Sequence, residues 1–210
     1  MTGVLDAPTE GLVRVAFALP FSSETELGEA MRRAREAGTP VLWLEELLLS
    51  SLLYVGFPRG IVAWTVYRRI EPDPAPGSEP SDHARWQEWA ERGEAACRVV
   101  YGKHYEQLRR NIGALHPALD AWMVVDGYGK TLSRSGLDML RRELCSVAML
   151  VPQAAPRQLL SHLNGAINAG ATTAQVDEVL RLATALPVRS RQVDVARGLW
   201  EELKVSLVHD

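Results

Sequence analysis

Residues 142–180 place apolar side chains at the three- and four-residue spacing of helices that bury one face. Pro156 fits the first turn of a second helical segment, because a helix begins with backbone N–H groups that have no partner inside it. Gly170 stands where a left-handed backbone is needed to end that segment. Thr172 and Gln175 have the spacing of a capping box, which predicts the start of a third segment. The stretch therefore predicts three consecutive helices joined by short turns.

Two side chains on neighbouring segments are the catalytic candidates, Glu143 on the first segment and His162 on the second. At about 100° per residue, His162 falls at the edge of the apolar stripe of its helix. A carboxylate on the adjacent helix would orient the imidazole and stabilise its protonated form. Such a ring could take a proton from carbon, or return one, near neutral pH. The alternative is that His162 is a boundary residue with a structural role only.

The helical pattern occurs twice in the chain. A shift of 132 positions aligns residues 12–48 with residues 144–180 without a gap, and Gly38 then falls on Gly170. Pro20 likewise falls on Pro152, just after the first apolar helical pattern of each copy. We interpret the pattern as two copies of one helical unit. Two unrelated helical hairpins with similar caps are the alternative.

The two copies differ at the candidate catalytic residues. Gly11 stands opposite Glu143, and Ala30 stands opposite His162. The earlier copy therefore lacks the acid and the imidazole. Its expected role is to pack against the later copy.

A proline-rich stretch separates the two units. Residues 71–82 contain four prolines, which cannot continue a helix, and are expected to form a stiff exposed linker. The prediction is an amino-terminal helical repeat over residues 1–70, this linker, and a second helical domain over residues 83–210. No β-strand alternation of useful length occurs, so the fold is predicted to be all-α with an internally duplicated helical unit.

The charge and apolar patterning indicate a globular protein of the cytoplasm. The formal charge is −3 at pH 7, which provides no net basic field for nucleic acid, so none is expected as a partner. The longest apolar run, residues 41–57, is interrupted by Glu45 and Glu46 and predicts a core helix rather than a membrane span. The amino terminus lacks a basic region followed by an apolar one, so no secretory signal is expected.

Neither the cysteines nor the histidines have the spacing of a metal site. Cys97 and Cys145 are far apart in the sequence, with no second cysteine near either. Both are predicted to be buried as small apolar side chains. The histidines other than His162 are scattered, with no second ligand at helical spacing, so no metal site is predicted.

The sequence of residues 162–172, HLNGAINAGAT, resembles the core of the carboxymuconolactone decarboxylase and alkylhydroperoxidase D-like family. The turn at residues 136–138, Gly-Leu-Asp, and the helix that carries Glu143 resemble the element before that core. The similarity covers roughly residues 91–185. It implies an all-α helical bundle, a small-molecule substrate and no metal or organic cofactor. It also implies rings of helical units, so with two units per chain a homo-oligomer is expected, with a trimer favoured.

The chain departs from the peroxidase-type members of that family. Those members carry a Cys-x-x-Cys pair seven and four residues before the histidine, where this chain has Ala155 and Gln158. A thiol peroxidase is therefore the less expected activity, with a one-cysteine reaction at Cys145 as its remaining form. The resemblance instead implies a decarboxylase-type lyase that performs acid–base chemistry with His162 and Glu143 on a small carboxylated or lactone substrate.

Two residues before the candidate pair are predicted to bind the substrate. Arg134 is a possible clamp for a carboxylate, although a surface charge is the alternative, and Tyr128 lies in the glycine-containing stretch just before it. A second reading of the whole chain is a catalytically degenerate member that serves as a helical scaffold or small-molecule binding module. The distance between Glu143 and His162, and the presence of a cavity beside them, would discriminate between the two readings.

Overall fold

The computed structural model describes residues 4–185 and 190–207, and this part of the chain contains helices but no strands. In chain order the elements are α1 (Ala7–Ala18), α2 (Glu24–Glu36), α3 (Val41–Arg68), α4 (Trp86–Tyr101), α5 (Tyr105–Leu115), α6 (Pro117–Trp122), a π-helix (Met123–Leu132), α7 (Met139–Leu150), α8 (Pro156–Asn168), α9 (Thr173–Thr184) and α10 (Ser190–Leu207). The all-α fold predicted from the sequence is confirmed.

The predicted ends of α8 and α9 are confirmed. α8 begins at Pro156 and is followed by Gly170, which has a positive φ of 97°. The Thr172 hydroxyl accepts a hydrogen bond from the Gln175 N–H at 3.2 Å, and the Gln175 side chain accepts one from the Thr172 N–H at 2.9 Å. These bonds satisfy amide groups that have no partner within the helix, so they fix where α9 begins.

The first two helices of the two predicted units have matching bounds. α1 and α7 both contain 12 residues, and they begin at Ala7 and Met139. α2 and α8 both contain 13 residues, and they begin at Glu24 and Pro156. Each pair differs by the shift of 132 that aligns the two sequences. The agreement supports a duplication, which stays a prediction.

The first helices of the two units pack against each other at their amino-terminal ends. Arg141 on α7 donates a hydrogen bond to the Thr9 hydroxyl on α1 at 2.9 Å and forms an ion pair with Asp6 at 3.2 Å. Further along, Leu12 and Leu144 are fully buried in one core that also contains side chains from α2, α3, α8, α9 and α10. Burial of each such leucine contributes about 1.5–3 kcal/mol. The two predicted units therefore share a single core.

α3 consists of two helical segments that meet at a kink, where Gly56 has a non-helical backbone with φ 72° and ψ 168°. By length and composition alone α3 could cross a membrane, and one third of its most apolar window is buried inside the protein. Two carboxylates near its start, Glu45 and Glu46, are buried and form ion pairs with Arg68 and Arg134. That the protein does not associate with a membrane stays a prediction.

Most residues of the proline-rich stretch are exposed, as expected of a linker, but Ala75 and Glu79 hold it against the rest of the protein. The Ala75 N–H donates to the Glu45 carboxylate at 3.0 Å, and Ala75 is buried. Glu79 forms an ion pair with Arg92 at 2.8 Å and accepts a hydrogen bond from the Ser135 N–H at 3.0 Å. The prolines exclude a helix here, but the sequence of the stretch does not show which distant residues Ala75 and Glu79 contact.

α4 and the π-helix approach each other closely through two glycines. A Cβ atom on Gly93 would lie 2.1 Å from the Val124 carbonyl oxygen, and one on Gly129 would lie 1.8 Å from the Trp89 carbonyl oxygen. Any larger residue would force the backbones apart. The contact forms a small second core and brings the tyrosines of the two helices, Tyr101 and Tyr128, together.

Candidate active site

α7 and α8 bring Glu143 and His162 into direct contact. The Nδ1 atom of His162 lies 2.8 Å from Oε2 of Glu143, and the two side chains are spaced as a hydrogen-bonded pair. Glu143 is fully buried, whereas 8% of the surface of His162 is accessible to solvent. An ionised carboxylate can only accept, so the Nδ1–H donates to it and Nε2 is left as the nitrogen for a ligand.

The absence of a side chain at Gly165 makes room for the carboxylate. A Cβ atom at this position would lie 2.5 Å from Oε2 of Glu143 and 2.7 Å from a methyl group of Val100. Gly165 lies one turn after His162 on α8, on the face that α4 covers. Its small size allows Glu143 to reach the histidine beneath α4.

An open cleft of about 450 Å³ lies beside the histidine. Its volume falls within the usual range for small-molecule sites, roughly 300–1,000 Å³. Most of the lining side chains are apolar or aromatic, and they come from α3, α4, α6, the π-helix, α7 and α8. They are Leu53, Tyr54, Tyr101, Trp122, Met123, Asp126, Gly127, Tyr128, Leu132, Leu150, Gln153, Gln158 and His162.

Tyr54 from the amino-terminal unit packs against the imidazole. The rings of Tyr54 and His162 meet edge to face with centroids 5.6 Å apart. The Tyr54 hydroxyl lies 2.6 Å from the Ser146 hydroxyl, and Ser146 donates its own proton to the Arg142 carbonyl oxygen at 2.8 Å. Tyr54 therefore donates to Ser146. These contacts fix the position of the ring that borders His162.

Two further tyrosines form a hydrogen-bonded pair in the cleft wall. The Tyr128 hydroxyl donates to the Tyr101 hydroxyl at 3.1 Å, and the rings meet edge to face. Asn168 on α8 donates to the Val100 carbonyl oxygen at 2.8 Å, which holds the end of α4 and therefore Tyr101.

The tyrosines of the cleft are held in their neutral form. Burial raises the pKa of Tyr54 well above its usual value, and the negative charge of Glu143 raises it further. Burial likewise raises the pKa of Tyr128 and that of Tyr101, with Glu143 again contributing to both. These hydroxyls are therefore hydrogen-bond donors, not bases, at neutral pH.

Of the two predicted substrate-binding residues, Tyr128 lines the cleft and Arg134 does not. Arg134 is buried, and its guanidinium binds both oxygens of Glu46 at 3.1 Å and the Glu79 carbonyl oxygen at 2.6 Å. Arg142 binds the same Glu46 at 2.8 Å. Arg134 is therefore occupied by Glu46 and does not act as the expected clamp in the cleft. The sequence alone did not show that Glu46 faces these arginines.

The positions of the missing cysteine pair lie at the start of α8. Gln158 lines the cleft, while Ala155 packs against the main core. Cys145 and Cys97 are both buried, as predicted. Burial raises the pKa of the Cys145 thiol well above its usual value and that of Cys97 to about 12. Neither thiol is placed as a nucleophile.

Within the described residues, no three His, Cys, Asp or Glu side chains are grouped so that they could hold a metal ion. The groups that face the cleft are an imidazole, three phenols, two amides and one carboxylate, that of Asp126. The site can therefore move protons and donate hydrogen bonds through its own side chains.

Sequence reasoning missed Tyr101 and gave no role to Tyr54 in the cleft. Tyr54 belongs to a unit that lacks the catalytic candidates, so nothing in its local sequence connects it to His162. Tyr101 is the last residue of α4, and only the close contact of α4 with the π-helix reveals its neighbours.

The fold and the site define an all-α protein with a buried carboxylate–histidine pair beside an aromatic cleft. A sequence model of the carboxymuconolactone decarboxylase family matches residues 117–197, which include both Glu143 and His162. The chain is also 32% identical over 141 residues to Peroxisomal protein 2 of Schizosaccharomyces pombe. That similarity covers 67% of this chain and 66% of the relative, just under two thirds of its length.

The chain belongs to the carboxymuconolactone decarboxylase family, with the helical bundle of its alkylhydroperoxidase D-like members. It lacks the Cys-x-x-Cys pair of the peroxidase-type members, because Ala155 and Gln158 occupy those positions. The resemblance inferred from residues 136–172 is thereby confirmed.

Proposed function

We propose that this protein is an enzyme that performs acid–base chemistry without a cofactor on a small carboxylated or lactone substrate. The observation that carries the proposal is the contact of 2.8 Å between His162 and Glu143 beside an open cleft. A buried carboxylate that binds one imidazole nitrogen leaves the other nitrogen as a proton acceptor. The site residues of the proposal are His162 and Glu143, with Tyr128 in the substrate-binding wall.

Proton transfer follows from the positions of these groups. Nε2 of His162 would take a proton from a carbon atom next to the substrate carbonyl group. The resulting imidazolium would be stabilised by Glu143, which is fully buried and therefore little screened by solvent. The same imidazolium would return the proton to the unsaturated system. A positioned acid–base group of this kind typically contributes about 10²–10⁴-fold to the rate.

The decisive experiment is turnover of a panel of unsaturated lactones, each with and without a carboxyl group. We expect the wild-type protein to convert at least one compound and His162→Ala to be about 10²-fold slower or worse. Glu143→Gln keeps the size of the side chain but removes its charge, so it should also be slow. His104→Ala, which changes an exposed histidine outside the cleft, is the matched control and should retain the wild-type rate.

The outcomes separate the proposal from its alternatives. Equal rates for the wild type and His162→Ala would remove His162 from the mechanism. Tight ligand binding without any turnover would favour the degenerate binding module instead. Consumption of an organic hydroperoxide that depends on Cys145 would favour a thiol peroxidase, although burial of this thiol argues against that activity.

We also propose that the protein acts as a homo-oligomer, with a trimer favoured. α3 presents Leu53, Phe57 and Ile61 to solvent at successive turns, and such an apolar stripe is typical of a surface that a second subunit covers. Sedimentation at micromolar concentration tests this state, and a strictly monomeric profile would contradict it. A cytoplasmic location is likewise proposed, and fluorescence microscopy of a tagged chain tests it.

A further inference from the structure

We infer that the cleft binds an uncharged, flat, unsaturated carbonyl compound whose carbonyl oxygen accepts a hydrogen bond from Tyr101. The inference rests on the proposed function, since it uses the same cleft and the same histidine. It narrows the substrate class, because it excludes the carboxylated substrates. It also adds Tyr101 as a residue that would contact the reacting group.

The charges around the cleft disfavour an anionic ligand. Among the described residues that line the cleft, none is a lysine or an arginine. Asp126 lies at its rim, and the Glu143 carboxylate lies directly behind His162. Arg134, the residue predicted from the sequence as a clamp, and Arg142 are both bound to Glu46. A ligand carboxylate would therefore lose its hydration and meet negative charge without a lysine or an arginine to compensate.

The shape of the lining favours a flat ring. Tyr54, Tyr101, Tyr128 and Trp122 present aromatic surfaces around the cleft. Aromatic side chains contact a planar ligand over a large area and prefer stacked or edge-to-face arrangements. Trp122 is mostly exposed at the mouth, so a bound ring would cover apolar surface that is now in contact with water.

The tyrosine pair supplies a hydrogen-bond donor in the same wall. The Tyr101 hydroxyl already accepts the proton of Tyr128 at 3.1 Å, so its own proton is directed to a different acceptor. A chain of two hydroxyls strengthens the terminal donor because each bond polarises the next. Burial and the Glu143 charge keep both phenols protonated. Such a donor stabilises the negative charge that develops on a carbonyl oxygen when a neighbouring carbon loses its proton.

The resulting reaction is a shift of a proton along a conjugated system. Nε2 of His162 takes a proton from the carbon next to the carbonyl group, and the electron pair of the broken C–H bond moves onto the carbonyl oxygen. The oxygen is stabilised by the Tyr101 hydroxyl. The imidazolium then returns the proton to another carbon of the system as the electron pair moves back. Atoms and electrons balance without a second reactant, and no carbon dioxide is lost.

Binding of a matched ligand pair tests the inference separately from turnover. Coumarin and coumarin-3-carboxylate share a flat unsaturated lactone and differ by one carboxylate. We expect calorimetric titration to show that coumarin binds at least about tenfold more tightly than coumarin-3-carboxylate. Equal affinity, or tighter binding of the carboxylate, would overturn the inference.

A pair of charge variants shows whether the cleft itself sets this preference. Gln158 is exposed and lines the cleft, so Gln158→Arg places a cation beside the ligand. This variant should bind the carboxylate more tightly than the wild type does. Gln87 is also exposed but does not line the cleft, and Gln87→Arg makes the same change of net charge. An equal gain in both variants would indicate a general charge effect and contradict a built preference.

Substitution of Tyr101 by phenylalanine tests the hydrogen bond. Tyr101→Phe should weaken coumarin binding about tenfold but leave the affinity for 2H-chromene, which has no carbonyl oxygen, unchanged. Tyr128→Phe, which removes only the donor to Tyr101, should weaken coumarin binding less. Equal losses for coumarin and chromene would show that the phenol merely supports the cleft and would remove Tyr101 from the inference.

The two proposals fail in different ways. If the neutral ligand binds preferentially while His162→Ala turns over substrates as fast as the wild type, the acid–base proposal fails and the ligand preference stands. If His162 is required for turnover but carboxylated lactones are the better substrates and ligands, the acid–base proposal stands and the inference is wrong.

Discussion

Gly165 lies directly beneath the carboxylate of Glu143, so that a Cβ atom at this position would be 2.5 Å from Oε2. The same atom would be 2.7 Å from a methyl group of Val100 on α4. The carboxylate therefore reaches His162 through a space that only a residue without a side chain leaves open. The geometry of the pair depends on this glycine as much as on the two side chains that form it.

Gly165→Ala should displace Glu143 or push α4 away from α8. We expect a loss of about 1–3 kcal/mol in the free energy of unfolding, as for other insertions into packed interiors. Turnover should fall by up to about 10²-fold, because a small displacement of a catalytic group is costly. Denaturant unfolding and the lactone panel measure the two effects.

The matched control for this glycine is Gly198→Ala. Gly198 lies in α10, and apart from its chain neighbours and the backbone of its own helix a Cβ atom there would meet nothing within 4 Å. The substitution should stabilise the protein by about 0.5–1 kcal/mol, since alanine has the higher helix propensity, and should leave turnover unchanged. Equal behaviour of the two alanine variants would show that the carboxylate does not need this space.

Glu46→Ala should strongly destabilise the fold. Glu46 is fully buried between Arg134 and Arg142, and both guanidinium groups would keep their charge without a carboxylate partner. Breaking a buried ion pair in this way typically costs about 3–5 kcal/mol. Glu29→Ala removes a carboxylate from an exposed pair with Arg33 at 3.6 Å and should change the stability by less than about 1 kcal/mol. Chemical denaturation of both variants checks the contrast, and similar losses would contradict it.

Much of the fold could be predicted from the sequence because its signals are local. The capping box at Thr172, the first-turn proline at Pro156 and the left-handed Gly170 each act on their own helix end, and all three have the predicted structure. The proximity of Glu143 and His162 was also a good hypothesis, since neighbouring helices joined by a short turn pack together. Their catalytic role stays a prediction.

The parts that could not be predicted depend on contacts between distant segments. Arg134 was a candidate clamp because its charge is visible in the sequence, whereas its partner Glu46 lies 88 positions earlier. Tyr54 reaches the site from the other unit, with its hydroxyl 2.6 Å from that of Ser146. Charge and periodicity describe one helix at a time. They do not show which buried acid neutralises which base, or which distant ring closes a cleft.

Both cysteines should be unreactive in the folded protein. Burial raises the pKa of the Cys97 thiol to about 12 and raises that of Cys145 as well, so thiolate is scarce at neutral pH. We expect an aromatic disulfide reagent to modify neither thiol in the native state and both after denaturation. Cys97→Ala should halve the signal of the denatured protein. Rapid modification of one thiol in the native state would contradict the burial and revive a thiol-dependent activity.

Alkaline titration should show tyrosines that ionise only when the protein unfolds. Burial is the main cause that raises the pKa of four tyrosines, Tyr54, Tyr67, Tyr101 and Tyr128. In the unfolded chain these phenols have a pKa of about 10. Folded groups with a raised pKa bind more protons than the unfolded chain, so their contribution to stability is complete below pH of about 10 and is lost as the pH rises towards the folded values.

Tyrosinate absorbance and helical circular dichroism, followed together as the pH is raised, measure this coupling. We expect these tyrosines to ionise in one steep step that coincides with the loss of helical signal. Glu143→Gln removes a negative charge that raises the pKa of Tyr54, Tyr101 and Tyr128. The acids that raise the pKa of Tyr67 are Glu45 and Glu71, which this variant keeps. That variant should therefore hold the three cleft tyrosines less firmly in their neutral form and resist alkaline unfolding slightly better, relative to its stability at neutral pH. A gradual ionisation near pH of about 10 with the helices intact would show instead that solvent reaches the phenols, and would contradict their burial.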